Sequence, residues 1–363
     1  MCDPAAMNSV ASRSVAPDRA TERRVRLQRW LQSELRGGAF VLQPIPAGAS
    51  SRHFYWLLCA SRRPSLIVRD APSLGDSDRF VRVARLLGNA GVHAPAIVAH
   101  HAACGFVLMS DLGESPYLSA LDDDNPESLL YPAIDTLIKW QRASRPGSLP
   151  SVDASVLRRE LRLFAKWYVA CHLGLALDRS RTRAFERVFE TIVASNLRQP
   201  TVYAHRDFTV RNLMVCDPEP GVIDFQDAAE ASITYDLASL CWSSTRDWPE
   251  ERVRRWTARY WETARGAGLP IQNSAAEFSE CLRWTAIQRH LKILGVFARL
   301  KYRAGKPEYL ENSPRVLRRL RRFAAATPTF APLLEVLDIL GNAEAPTITS
   351  HVGPDSRHTT RPV

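Results

Sequence analysis

The stretch His205-Arg206-Asp207-Phe208-Thr209-Val210-Arg211-Asn212, with the later turn Gly221-Val222-Ile223-Asp224-Phe225-Gln226-Asp227, decides the fold of this 363-residue chain. Asp207 and Asn212 share one loop, and Asp224 ends a short apolar run. Residues 213–215 and 222–223 are predicted to be short strands, and the segment between them is rich in turn formers. Such a path returns Asp224 to Asn212, so we expect two carboxylates and one amide to meet in a single site.

A site of this composition suits phosphoryl transfer. The first stretch fits the pattern H-R-D-x-x-x-x-N and resembles the catalytic loop of the protein-kinase fold. In that chemistry a carboxylate accepts the proton of the attacking hydroxyl, while oxygen ligands hold the Mg²⁺ that bridges the phosphates. We therefore predict Asp207 as the base, Asn212 and Asp224 as metal ligands, and His205 as a catalytic-site residue that supports the loop.

Composition restricts the class of protein. The hydrophobic content of 45% and charged content of 24% are those of a globular protein. No apolar run approaches the ~18 residues of a membrane helix, and the N-terminus lacks a signal-peptide core, so we expect a cytoplasmic protein. The net charge of +10 would suit anionic ligands. The arginines of 315–322 recur at helical spacing and are interpreted as a solvated helix face rather than a nucleic-acid stripe.

The order of predicted elements indicates an α+β fold of two lobes, similar to that of protein kinases. Strands are predicted at 40–42, 54–59, 66–68, 96–100 and 105–109, with helices at 23–35 and 77–90. Further helices are predicted at 130–142, 156–172, 182–197, 235–243, 251–264, 276–300 and 314–326. We expect a small β-rich N-lobe at 21–113, a larger and mainly helical C-lobe at 114–344, and disordered segments at 1–20 and 345–363.

The N-lobe offers candidates for nucleotide binding. Ala49, Ser50 and Ser51 follow Gly48 in a turn between two strands, where small residues let backbone N–H groups approach phosphates. Arg69 is the cation nearest the slot of the third-strand lysine of kinases, and it is either a phosphate ligand or an exposed strand-end residue. Asp76, which opens the next helix, is interpreted mainly as a favourable N-terminal charge.

The C-lobe offers candidates for contact with the acceptor. They lie beside the metal aspartate, on the catalytic loop or on helices, and comprise Gln226, Asp227, Arg211, Trp167, Tyr168 and Arg289. Trp167 and Tyr168 could form a wall that stacks on a sugar, although an aromatic pair on a helix is more often part of the core. Arg289 could bind an anion or lie on a solvated turn. Asp236 is expected to brace the catalytic loop through its backbone N–H groups.

Longer strings make the chain similar to a known family. The segments 205–215, 221–228 and 235–240 resemble the aminoglycoside phosphotransferase (choline-kinase-like) superfamily. The strings Asp70-Ala71-Pro72, Gly105–Gly113, Glu160–Tyr168 and Gln288–Lys292 resemble bacterial anomeric kinases of N-acetylmuramate and N-acetylglucosamine. The resemblance implies ATP- and Mg²⁺-dependent phosphorylation of the anomeric hydroxyl in cell-wall recycling. It also implies a phosphate loop at 49–52, which includes Arg52, and adenine binding near Met109 and Asp111.

Other functions remain open from the sequence. A kinase of the same fold could act on an aminoglycoside or another amino alcohol, although a polycationic substrate fits poorly with the net charge of +10. A pseudokinase that binds nucleotide without turnover is suggested only by the missing third-strand lysine. We expect a sugar and ATP as ligands, no nucleic-acid or membrane partner, and a monomer.

Overall fold

The computed structural model describes residues 19–46, 52–59, 65–73, 75–218, 220–326, 330–331, 333–335 and 337–338. The predicted phosphate-loop residues Ala49, Ser50 and Ser51 lie outside the described residues. The chain forms two compact units, one comprising described residues between 19 and 86 together with 94–113, the other 87–93 and described residues from 114 onward. Among the described helices, none is both long and apolar enough to cross a membrane.

A five-stranded antiparallel sheet forms the N-terminal unit, with strand order β1-β2-β3-β5-β4. Its strands are β1 (Val41–Ile45), β2 (His53–Leu58), β3 (Leu66–Asp70), β4 (Ile97–His101) and β5 (Phe106–Ser110). Helix α1 (Arg19–Glu34) precedes the sheet, and α2 (Asp76–Asn89) is inserted after β3. The predicted order of strands and helices is confirmed, with ends shifted by a few residues.

The core of this unit lies between α1 and the sheet. Leu27 and Leu31 of α1 pack into one buried cluster with Val68, Phe106 and Leu108. All five residues of β3 are buried, since this strand is central in the sheet and carries apolar side chains at its first three positions.

Helices dominate the C-terminal unit. They are α3 (Tyr117–Ala120), α4 (Glu127–Arg142), α5 (Ala154–Leu163), a π-helix (Phe164–His172), α6 (Arg179–Leu197), α7 (Tyr235–Cys241), α8 (Glu250–Gly266), α9 (Ala275–Ala304), a 3₁₀ helix (Pro307–Asn312) and α10 (Ser313–Ala325). Two small antiparallel sheets interrupt them: β6 (Thr201–Ala204) pairs with β9 (Ala229–Ser232), and β7 (Leu213–Met214) pairs with β8 (Gly221–Val222). The predicted single helix at 156–172 is therefore wrong in its second half, and β9 was not predicted.

The 30-residue helix α9 is the central element of this unit. The Ser274 side chain caps its N-terminus by accepting from the Glu277 N–H at 3.1 Å. Gly305 ends it in the left-handed conformation with φ 66°. Gly295 allows close packing, because a Cβ there would lie 2.4 Å from the Leu163 carbonyl carbon and 2.5 Å from the Phe164 nitrogen. Helix α9 thus touches the backbone where α5 becomes the π-helix.

The arginines of α10 are less solvated than predicted. Arg319 is buried, pairs with Asp247 and donates to the Ser243 carbonyl at 3.1 Å. Arg318, in contrast, is exposed and reaches the same carboxylate at 3.2 Å. The interpretation as a solvated face is therefore wrong for Arg319, since the loop after α7 covers that side of the helix.

Candidate active site

The catalytic segment is held by its two short sheets. The loop 205–212 leaves β6 and enters β7, and one residue, Ile223, separates Asp224 from the end of β8. Leu213 pairs with Val222, and the Ile223 N–H donates to the Asn212 carbonyl at 3.0 Å. Because these backbones are bonded, Asn212 and Asp224 are brought to the same end of the β7–β8 pair. The predicted strand–turn–strand return path is confirmed.

Asp207 and Asn212 are in direct contact. The Asn212 amide Nδ2 donates to Asp207 Oδ2 and to the Asp207 carbonyl, both at 2.9 Å. Asn212 is buried, whereas the Asp207 side chain is 57% exposed. An exposed carboxylate is thus anchored by a buried amide, and it remains accessible to another molecule.

His205 connects the two parts of the motif. Its Nε2 lies 2.9 Å from the Ile223 carbonyl oxygen, and its Nδ1 accepts from the Asp207 N–H at 3.3 Å. Both contacts fit one tautomer, with the proton on Nε2 and the lone pair on Nδ1. His205 is buried. Its two ring contacts link the backbone of Asp207 to Ile223, the residue before Asp224.

Asp236 braces the loop, as predicted. Its Oδ2 accepts from the His205 N–H at 2.6 Å, and its Oδ1 accepts from the Arg206 N–H at 2.9 Å. Burial raises the pKa of Asp236, while His205 and the backbone hydrogen bonds act in the opposite direction. The side chain has no exposed surface, so its role is internal to the protein.

Two non-glycine residues of the segment adopt positive φ. Arg206 has φ 71° and Asp224 has φ 60°. Gln226 Nε2 donates to Asp224 Oδ1 at 2.7 Å and so supports the second of them. The Gln226 side chain is only 2% exposed, so its predicted contact with acceptor hydroxyls is wrong and its contact is with Asp224.

Glu160 of α5 is a buried carboxylate that contacts three polar side chains beside the catalytic loop. The Arg206 guanidinium pairs with it, Lys292 Nζ lies 2.9 Å from its Oε1, and Gln288 Nε2 donates to its Oε2 at 2.8 Å. Burial alone would raise the pKa of Glu160, but Lys292 and Arg206 outweigh it and hold the pKa below its ordinary value. The cluster ties the catalytic loop to helices α5 and α9.

Glu160 was not assigned a role from the sequence, whereas Lys292 was considered, like Arg289, for anion binding, and the anion that it contacts is Glu160. Leu157, Glu160, Leu161 and Phe164 lie on the buried face of the segment that α5 begins. A glutamate at a core-facing position of an amphipathic helix is the signal that could have indicated a buried pair.

The other predicted acceptor residues differ in how exposed they are. Tyr168 is 0% exposed and stacks on Phe164 with ring centroids 5.7 Å apart, so its predicted stacking on a sugar is wrong. Trp167, beside it on the π-helix, is partly exposed, with Lys166 5.6 Å from its ring. Asp227 and Arg211 are exposed.

In the N-terminal unit, Asp76 collects two of the predicted nucleotide-binding cations. Arg52 contacts it through Nε at 3.0 Å and Nη2 at 3.2 Å, and Arg69 Nη2 contacts it at 2.5 Å. Arg69 is 0% exposed and lies 4.7 Å from the Phe80 ring centroid, so the alternative of an exposed strand end is wrong. Asp76 therefore begins α2 and also pairs with these two arginines. Burial alone would raise its pKa, but Arg52 and Arg69 lower it.

The predicted adenine segment is held by strand pairing and by hydrogen bonds of Asp111. Met109 is buried and pairs with Ile67 across the sheet. The Asp111 N–H donates to the Ser65 carbonyl at 3.1 Å, and Asp111 Oδ1 accepts from the Gly113 N–H at 2.9 Å. Asp111 therefore fixes the turn that leaves β5.

The donor set at the catalytic segment fits a hard divalent cation. Asn212 directs its amide nitrogen to Asp207, which leaves its amide oxygen to face away from that carboxylate. Asp224 adds an exposed carboxylate that Gln226 orients. Oxygen ligands of these two types are those that Mg²⁺ uses when it keeps further positions for water and phosphate.

Comparison with known proteins places this geometry in a family. The model of the phosphotransferase enzyme family (APH) matches residues 41–269. An N-acetylmuramate/N-acetylglucosamine kinase of Pseudomonas aeruginosa is 43% identical over 297 residues, which are 82% of this chain and 87% of that relative.

Solved structures share the fold at low identity. An ethanolamine kinase of Plasmodium vivax has a TM-score of 0.60 at 12% identity and covers 90% of this chain and 94% of its own. The ADP-bound aminoglycoside phosphotransferase APH(2'')-Ib has a TM-score of 0.56 at 16% identity and covers 81% of this chain and 97% of its own. The predicted kinase-like fold and the predicted family are confirmed. The chain belongs to the phosphotransferase enzyme family.

Proposed function

We propose that this protein transfers the γ-phosphoryl group of ATP to the anomeric hydroxyl of an N-acetylated amino sugar, N-acetylmuramate or N-acetylglucosamine. The product would be the sugar 1-phosphate, and the reaction would serve cell-wall recycling. The main support is that the chain is 43% identical, over 82% of its length, to a relative named for these sugars. The contact between Asp207 and Asn212 gives that similarity a chemical basis.

In the proposed reaction, Asp207 orients the sugar hydroxyl and accepts its proton as the oxygen attacks the γ-phosphorus of ATP, whose bond to the bridging oxygen breaks so that ADP leaves. Its exposed carboxylate can be reached by the acceptor, and Asn212 limits its rotation. His205 and Asp236 act on the backbone around it. They hold the loop at its positive-φ residue, so little reorganisation is needed during the reaction.

Asn212 and Asp224 would hold Mg²⁺, which neutralises phosphate charge when it is bound. Gln226 orients the second ligand. On the nucleotide side, we propose that the segment around Arg52, together with Met109 and Asp111, contributes to ATP binding. Arg69 is proposed to act through Asp76 and Arg52, because a guanidinium with no exposed surface cannot reach a phosphate directly.

A substrate panel tests the proposal. Purified protein with Mg²⁺ and ATP should release ADP when N-acetylglucosamine or N-acetylmuramate is added, and not with an aminoglycoside, choline or ethanolamine. If ADP is released only with an aminoglycoside or another amino alcohol, the acceptor is not an amino sugar and the proposal is wrong. If no acceptor gives ADP while ATP still binds, the protein is a nucleotide-binding scaffold.

A further inference from the structure

Three polar side chains of one turn of α9 face the catalytic loop and the buried Glu160. Gln288 and Lys292 contact Glu160, and Arg289, between them in sequence, contacts the loop itself. His290 lies on the other side of the helix, where its Nε2 is 3.4 Å from Arg319 Nη1. One side of this turn of α9 therefore faces the catalytic loop and Glu160, and the other side faces Arg319 of α10.

Arg289 reaches both the backbone and the carboxylate of the loop. Its Nη1 donates to the Arg206 carbonyl at 3.0 Å, and its Nη2 is 4.0 Å from Asp207 Oδ1. The latter distance is that of an ion pair without a direct hydrogen bond. Asp207 thus has Asn212 at Oδ2 and a guanidinium near Oδ1.

The Arg289 guanidinium is itself fixed in place. It lies 4.8 Å from the Tyr235 ring centroid, and the side chain is only 6% exposed. Arg289 donates to the carbonyl of Arg206, and Arg206 is in the left-handed conformation with φ 71°. A planar group that is stacked and bonded in this way has little freedom to turn toward a solvent-borne ligand.

We propose that Arg289 is a positioning residue: its guanidinium, held by Tyr235 and the Arg206 carbonyl, fixes the Asp207 carboxylate at Oδ1 while Asn212 fixes it at Oδ2. This inference rests on the function proposed above. It replaces the expectation that Arg289 binds an anionic group of the substrate. A carboxylate that is more than half exposed needs this second restraint to meet the acceptor hydroxyl in one orientation.

The test separates kcat from KM. Arg289→Ala should lower kcat with the amino sugar by about 10²-fold, since small misplacement of a reacting group can cost that much. The KM for the sugar should change by no more than about twofold. Arg289→Lys should recover only part of kcat, because an ammonium lacks the planar fork that serves two acceptors. Millimolar methylguanidinium should raise kcat of Arg289→Ala and leave the wild type unchanged.

The matched control is Arg283→Ala on the same helix, which should retain wild-type kcat and show no response to methylguanidinium. A raised sugar KM with unchanged kcat would overturn the inference in favour of direct substrate binding. Unchanged kcat and KM in a folded Arg289→Ala would overturn it as well. If Arg289→Ala does not fold, Arg289→Lys carries the test, and its full activity would contradict the inference. Absence of wild-type turnover with any amino sugar would instead refute the proposed function.

Discussion

At the scale of single residues, the catalytic segment is held in a conformation that its sequence alone does not favour. Arg206 and Asp224 have positive φ, which costs on the order of 1–3 kcal/mol for a non-glycine residue. Asp236 holds the first through two backbone hydrogen bonds, and His205 holds the residue before the second. The strain is thus located at the two carboxylate-bearing turns, where a fixed orientation matters for the proposed chemistry.

Asp207→Asn tests the proposed base. The substitution keeps the shape of the side chain and removes the proton acceptor, so kcat should fall by about 10²–10⁴-fold. Nucleotide affinity, measured by calorimetry with a non-hydrolysable ATP analogue, should change little. Asp122→Asn, at an exposed aspartate elsewhere in the same unit, is the control and should retain activity. Near-normal kcat in Asp207→Asn would remove Asp207 from this role.

Some contacts of single residues were predictable from the sequence and others were not. The meeting of Asn212 with the Asp224 turn was predictable, because it depends on two strands close in the chain. The burial of Arg69 was not, because it depends on how α2 lies over the end of β3. Glu160 was also missed, since its three partners lie 46 to 132 positions away.

At the scale of elements, packing overrides local preference in two places. The periodicity of 156–172 predicts one α-helix, yet the segment changes to a π-helix at Phe164, where its backbone lies against Gly295 of α9. The strand β9 has the sequence Ala-Glu-Ala-Ser, which has low β-propensity, and its pairing with β6 makes it a strand. Neither contact can be read from a local window of sequence.

Gly295→Ala tests the contact between α9 and the α5–π-helix junction. Alanine normally favours a helix interior over glycine by about 1 kcal/mol. Here its Cβ would lie 2.4 Å from the Leu163 carbonyl carbon, so the helices must separate and stability should fall by about 1–3 kcal/mol or more. Urea denaturation measures the change. Gly88→Ala on α2, where nothing lies within 4 Å of the new Cβ, should be neutral or slightly stabilising.

At the scale of the whole molecule, buried and half-buried carboxylates make stability depend on pH. The pKa values of Glu160, Asp76 and Asp247 are lowered in the fold by arginine or lysine partners that outweigh burial. These groups contribute stability above their unfolded pKa values of about 4, and the contribution is lost as pH falls through the folded values. Asp236 acts with the opposite sign because burial raises its pKa, and it offsets part of the loss.

Glu160→Gln should therefore weaken the fold near neutral pH and reduce its sensitivity to acid. Removing one partner of a buried pair costs about 3–5 kcal/mol, so the urea midpoint at pH 7 should fall clearly. Between pH 7 and pH 3 the midpoint of the variant should change less than that of the wild type. Glu190→Gln removes the partner of Arg158 in an exposed pair and should cost below about 1 kcal/mol. Equal acid sensitivity of wild type and Glu160→Gln would contradict this account of the cluster.

The fold class, the order of elements in the N-terminal unit and most helices of the C-terminal unit followed from the sequence, because apolar periodicity and turn residues act locally. The family followed from strings that are contiguous in the chain. The brace by Asp236 followed as well, but the cluster around Glu160 did not, since its partners on the catalytic loop and α9 are distant in the chain.

The identity of the product is the measurement that tests the central claim most directly. Protein, Mg²⁺, ATP and N-acetylglucosamine are incubated, and the product is examined by ³¹P NMR together with a reducing-sugar assay. We predict a phosphorus signal coupled to the anomeric proton, and loss of reducing power in equal molar amount to the ADP formed, because phosphorylation at the anomeric oxygen prevents ring opening. ADP formation with full retention of reducing power, and phosphorus coupled to another position, would contradict the proposed function.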